Sequence, residues 1–258
     1  MSKQQLKREK DRYVANTPKS RELQEQAVRY LPGGSSRATH DFDPYPPFVD
    51  HGQGHYVYDV DGNRYLDFMI NATSLIMGHA HPLIVKALQE EASKGTAFSG
   101  PTESQIRLAK ILCDRIPSVD KIRFVNSGTE GTMMAIRAAR TFTGRHKVAK
   151  FEGGYHGLTL GSLAVTERTC FRAPFRGRLH DRVAFAPFPQ GEDAEAALLE
   201  VERILAGDGP FEDPIGSVVV EPIQGRAGVR VPPSGFLSGL AEVTRSAGAL
   251  LVFDEIFT

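Results

Sequence analysis

The chain has 258 residues, 41% hydrophobic and 24% charged, and its 31 basic residues are balanced by 31 acidic ones. That length holds one large domain or two ordinary ones, and a net charge near zero argues against nucleic acid or a membrane surface as partner. The opening MSKQQLKREKDR lacks the apolar segment of a secretory signal, no run approaches a bilayer span, and Cys113 and Cys170 are too few for a disulfide framework or zinc cluster, so a cytoplasmic location is the default expectation.

Residues 1–30 are charged and helix-prone, and LPGGSS at 31–36 interrupts them with Pro and Gly. DFDPYPPFVD, with three prolines, reads as extended chain on a surface. GHYVYDVDGNRYLDF has apolar and aromatic residues on both sides of Asp61-Gly62-Asn63, a hairpin signal that predicts two strands of a small sheet. His79 and His81 in GHAHP read as a turn before a helix rather than a metal pair, and no metal site is expected. Pro82 then opens a helix bearing Leu83, Val85, Ala87 and Leu88, and TESQ starts another near Thr102.

Beyond it, KIRFV, HKVAKF, RVAFA, IGSVVV and GALLVF are predicted strands, alternating with helices that include 129–142, 193–206 and 235–247. This alternation predicts an α/β domain with a mostly parallel sheet, in which ligands sit outside the carboxyl ends of the strands. The expected organisation is an N-terminal helix and small-sheet segment over 1–80 and a large domain over 81–258.

The strand ends carry the chemistry. Ser127, Gly128 and Thr129 follow RFV where a strand passes into a helix, and they either surround an anion such as a phosphate or simply cap the helix with Glu130 in its first turn. EGGYHG follows HKVAKF; its glycines bring backbone close to something, and Tyr155, next to His156, is either a plate over a flat ligand or a half-buried turn tyrosine. Glu221 before Pro222 is a site carboxylate or an acid that binds loop amides. Asp254, after LLVF, could act as a base, hold a protonated ring nitrogen or, least plausibly, bind metal. Neither GxGxxG nor GxxxxGK[ST] is present here, which lowers the nucleotide-binding reading.

Taken in order, LPGG, VYDVDGNRYLDF, GHAHP, GPTE, RFVNSGTE, TGRHKVAKFEGGYHG, VVVEPIQG and LLVFDEIFT resemble the class III, fold type I pyridoxal-phosphate-dependent aminotransferases. Within that family the chain is most similar to glutamate-1-semialdehyde aminomutases and β-amino-acid aminotransferases. The resemblance implies the fold type I large domain, incomplete at its C-terminus, and pyridoxal 5′-phosphate as cofactor. It assigns the phosphate to Ser127, Gly128 and Thr129, one ring face to Tyr155 beside His156, the other to Ile256, and the pyridine nitrogen to Asp254, with Glu221 placing Asp254 and its loop. Arg37, in GGSSR, falls near the arginine that takes the substrate carboxylate in some members, and Arg226 falls near the cofactor's phenolic edge.

The implied activity is amino transfer from an amino acid or amine to a keto-acid or aldehyde, in a homodimer, with the intramolecular aminomutase reaction as the alternative. YHGLTLGSL lacks the further His usual in the aminomutase, and IFT lacks a glutamine some relatives carry; the first of these, with Arg226, favours the transaminase. The family's Schiff-base lysine follows the DE strand, and no lysine of this sequence follows Asp254, so the 258 residues are expected to be inactive alone. A truncated, non-catalytic interaction protein is the competing reading from another class.

Overall fold

Ser2 starts the first helix with a capping box: its hydroxyl accepts from the Gln5 N–H, and the Gln5 side chain accepts from the Ser2 N–H. The computed structural model describes residues 2–37, 42–167, 169–175, 177–179, 182–191, 194–208 and 213–258. The chain divides into two units, Met1–Arg107 and Leu108–Thr258.

In the first unit, α1 (Lys3–Asn16) and α2 (Pro18–Ala27) precede an antiparallel sheet of β1 (Val49–Gln53), β2 (Tyr56–Asp59) and β3 (Arg64–Leu66). The Asp61-Gly62-Asn63 hairpin is present, with Tyr56 opposite Leu66 and Tyr58 opposite Arg64. Buried Asp59 fixes it, its carboxylate accepting from the N–H groups of Asp61 and Asn63, the Asn63 amide and the Tyr65 hydroxyl. The proline-rich stretch, whose Asp41 lies outside the described residues, is extended only to Phe48 and then supplies the third strand, β1. His79 donates to or accepts from Asp67 at 2.7 Å and its backbone bridges Gly54, which makes GHAHP a fixed turn. The helix α3 (Pro82–Ala92) follows, and α4 (Glu103–Arg115) spans the boundary at Arg107.

The second unit holds α5 (Gly128–Thr143), β4 (Lys147–Phe151), α6 (Leu160–Ala164), α7 (Thr169–Arg172), β5 (Val183–Ala186), α8 (Ala194–Ala206), β6 (Ile215–Val220), α9 (Phe236–Ser246) and β7 (Leu250–Phe253). The first residue of the helix predicted at 193–206 lies outside the described residues. The strands form one parallel sheet in the order β5-β4-β6-β7. Every residue of β4 and β6 is buried, Lys147 and Lys150 of β4 included.

Alternate residues face two cores. Ala149, Phe151, Val218 and Val220 pack with Val201 of α8 and Phe236 and Leu240 of α9, while Val148 and Val219 pack with Ile136 of α5 and Ala164 of α6. Full burial of such a side chain contributes about 1.5–3 kcal/mol.

One strand expectation fails. KIRFV, 121–125, is not part of a ladder: a strand exists only through its hydrogen-bonded neighbour, and among the described residues β7, at the sheet edge, pairs with β6 alone. Phe124 and Val125 are accordingly partly exposed. The short helices α6 and α7 were not anticipated, being too brief to set up a recognisable period.

Chain order reverses between β4 and β6: β5 lies on one side of this pair and β7 on the other. The crevice at such a switch point, at the carboxyl ends of the strands, is where an open α/β sheet takes its ligand.

Candidate active site

The start of α5 is built by its own side chains. The Ser127 hydroxyl accepts from the Glu130 N–H at 3.2 Å, and the Glu130 carboxylate accepts from the Asn126 N–H at 2.7 Å. Ser127 therefore caps the helix, one of the two roles open to it from sequence. The N–H groups of Gly128 and Thr129 have no partner inside the helix and no acceptor among the described residues. They remain as anion donors at the positive end of a sixteen-residue helix.

The loop after β4 is tied to the ends of β6 and β7. Glu221, buried at the end of β6, accepts from the Tyr155 N–H at 2.9 Å and the Gly225 N–H at 3.3 Å. Burial pushes its carboxyl above the usual carboxylate range, and the two amide bonds pull against that. Glu221 thus holds two loops rather than bonding Asp254 directly. His156 does that: its Nδ1 lies 2.7 Å from the Asp254 carboxylate, with the two side chains only 1% and 8% exposed. An ionised carboxylate only accepts, so its charge places the proton on Nδ1. The other Asp254 oxygen accepts from the Ile256 N–H at 3.3 Å.

Thr166 locks the loop from behind, its hydroxyl accepting from the His156 N–H and donating to the Gly157 carbonyl, each at 2.8 Å. Gly157 has φ +109°, and a Cβ there would stand 2.4 Å from Thr129 Oγ1 and 2.8 Å from Ser162 Oγ. Gly157→Ala is expected to cost about 2 kcal/mol through backbone strain and overlap, and to displace Thr129. A thermal melt of the variant that matches wild type would contradict this.

The Tyr155 ring already carries a cation over one face. The Arg226 guanidinium lies 4.2 Å from its centroid, and Phe171 meets it edge-on at 6.2 Å. Ile256 rests on Gly128, where a Cβ would come within 3.0 Å of the isoleucine side chain. A cavity of about 320 Å³ is lined by Gly128, Gly131, Thr132, Asp254 and Ile256 among others, so one hollow touches both the helix start and the strand-end carboxylate.

Ser127, Gly128, Thr129, Tyr155, His156, Glu221, Asp254 and Ile256 therefore all lie in the second unit, at the ends of β4, β6 and β7 and the start of α5. Arg37 belongs to the first unit, where its guanidinium donates to the Asn71 side-chain oxygen at 3.1 Å. Sequence reasoning passed over Thr166 and Gly157, whose partners lie up to ten and 28 residues away. Lys150, which the sequence places in the strand before FEGG with no catalytic role, is fully buried there.

A parallel sheet with these groups at its carboxyl edge has known counterparts. Residues 38–258 match the family model for aminotransferase class-III, and the chain belongs to that family. Among its relatives is glutamate-1-semialdehyde 2,1-aminomutase 1 of Listeria innocua, 42% identical over 255 residues, which cover 95% of this chain and 57% of the relative. The fold superposes on a β-phenylalanine aminotransferase from Variovorax paradoxus with a TM-score of 0.82 at 35% identity, covering 97% of this chain and 54% of that one. It likewise superposes on a transaminase with PLP bound, with a TM-score of 0.77 at 34% identity, covering 92% and 55%. The chain thus spans a little over half the length of the relatives it matches.

Proposed function

We propose that the full-length protein moves an amino group using pyridoxal phosphate, from an amino-acid or amine donor to a keto-acid or aldehyde acceptor. The observation that carries this reading is the buried Asp254 carboxylate, oriented by His156, on the same cavity as the unpartnered start of α5. The residues suit the group: free N–H donors for a phosphate, an aromatic ring with a cation over only one of its faces, and a carboxylate held in place by a histidine.

When bound, pyridoxal phosphate supplies an electron-accepting ring that stabilises the charge left by a broken substrate C–H bond. In this proposal the N–H groups of Gly128 and Thr129, with the Ser127 cap behind them, take the phosphate. Tyr155 and Ile256 hold the two ring faces. Asp254 keeps a proton at the ring nitrogen through a charge-assisted hydrogen bond of ~1.5–3 kcal/mol. His156 orients Asp254, and Glu221 fixes the Tyr155 loop.

The intramolecular aminomutase reaction is the second reading, favoured by the 42% identity to the Listeria innocua enzyme. The protein is proposed to act as a homodimer in the cytoplasm. Residues 1–258 by themselves are proposed to hold the cofactor without a covalent bond and without activity, because none of their lysines follows Asp254.

Titrating the full-length protein with pyridoxal phosphate, then adding amino donors, tests the reading by absorbance. Uptake of the cofactor and a donor-dependent spectral change are expected. Binding of NAD or ATP with no uptake of pyridoxal phosphate would overturn it.

A further inference from the structure

Beside Tyr155 lies a second, polar groove that the proposed cofactor residues do not use. It has a volume of about 480 Å³ and is lined by Glu152, Gly153, Glu167, Gln190, Arg226 and Arg230, with Ala227 between the arginines in sequence. Arg226 sits in the turn of a short hairpin whose ends, Gln224 and Arg230, bridge through their backbones. Buried Gln224 anchors that hairpin by donating to the Glu152 carbonyl at 2.7 Å. The two guanidiniums are thus carried on a held loop rather than a loose one.

Neither guanidinium has an acid or carbonyl partner among the described residues. Of the two acids in the groove, Glu167 is committed elsewhere: its carboxylate accepts from the Gly153 N–H and faces the Lys150 ammonium at 3.7 Å. Glu152 is exposed and is the one remaining negative charge against two arginines. Arg226 is also held in place, because its guanidinium lies over the Tyr155 ring at 4.2 Å from the centroid.

We infer that Arg226, supported by Arg230, binds a carboxylate of the amino-donor or keto-acid substrate and so selects acids over simple amines. This rests on the amino-transfer reading above. A planar fork beside the proposed cofactor ring matches a carboxylate with two parallel hydrogen bonds, which a lysine cannot reproduce.

The test uses the full-length protein with glutarate as an inert carboxylate probe, followed by calorimetry, after cofactor uptake has been recorded on the same preparation. Arg226→Gln is expected to raise the glutarate Kd about 10- to 100-fold, and Arg226→Lys to recover part of it. The KM for an acidic donor should rise in step, and by far more than that for the matching amine without a carboxylate. Wild-type glutarate affinity in Arg226→Gln, with cofactor bound, would overturn the inference. So would a loss of cofactor binding in that variant, which would place Arg226 against the cofactor instead. Failure of the wild-type protein to take up cofactor would strike the amino-transfer reading itself.

Discussion

Replacing Asp254 by Ala in the full-length protein is expected to lower kcat for amino transfer by about 10²- to 10³-fold. The magnitude follows from burial. Asp254 is held by His156 at 2.7 Å and is nearly inaccessible, so its charge acts through little water and needs no rearrangement as charge develops nearby. Asp254→Asn keeps the size and removes the charge, and should lose nearly as much, which separates electrostatics from packing. His156→Ala, by loosening Asp254 rather than removing it, should lose less than either. Steady-state rates at saturating donor, with bound cofactor measured beside them, decide the matter. An Asp254→Asn protein that binds cofactor and keeps a tenth or more of its kcat would remove Asp254 from the account.

The second large effect concerns stability. Lys150 is fully buried in β4, its ammonium has no hydrogen-bond partner, and its nearest contacts are Glu167 at 3.7 Å and the Phe185 ring at 4.7 Å. Burial pulls its pKa down to about 8, with Glu167 opposing the shift. The folded protein therefore releases this proton near pH 8, while the unfolded chain keeps it to the ordinary lysine value of 10.5. Between those values the unfolded state binds more protons, so this group makes stability rise with pH across the window. The gap corresponds to roughly 3 kcal/mol, a cost present below pH 8 and relieved as pH climbs.

Lys150→Met, close in shape and without the charge, should thus be at least as stable as wild type at pH 7. It should also lack the wild-type rise in denaturation midpoint from pH 8 to 9.5. That range stays below the region where Tyr13, lifted by burial to about 12, works in the opposite direction. Equal pH slopes in the two proteins would show that Lys150 is not the titrating group.

The same residue marks where sequence reading reaches its limit. The runs HKVAKF and IGSVVV announced strands because both faces of β4 and β6 are covered, and the acids that follow β6 and β7 were visible as strand-end carboxylates. What periodicity cannot supply is the partner. His156 and Asp254 meet across 98 residues, and Tyr155 and Glu221 across 66, so their roles in orienting one another appear only once the strands are side by side. Ser127 illustrates the reverse: two roles were open, and the capping bond to Glu130 accounts for its hydroxyl while the neighbouring N–H groups stay free. KIRFV had the composition of a strand without a neighbour to pair with among the described residues, which composition alone cannot reveal. The placement of Arg226 over Tyr155 depends on a hairpin folding back, again invisible in spacing.

In the proposed reading, Asp254 and the start of α5 cradle the cofactor, and none of the lysines in residues 1–258 bonds it covalently. Borohydride reduction of the full-length protein after incubation with pyridoxal phosphate, followed by peptide mapping, tests it most directly. The expected product carries one pyridoxyl group, on none of the lysines of residues 1–258. A pyridoxyl group on Lys150, or on any other lysine within residues 1–258, would contradict it.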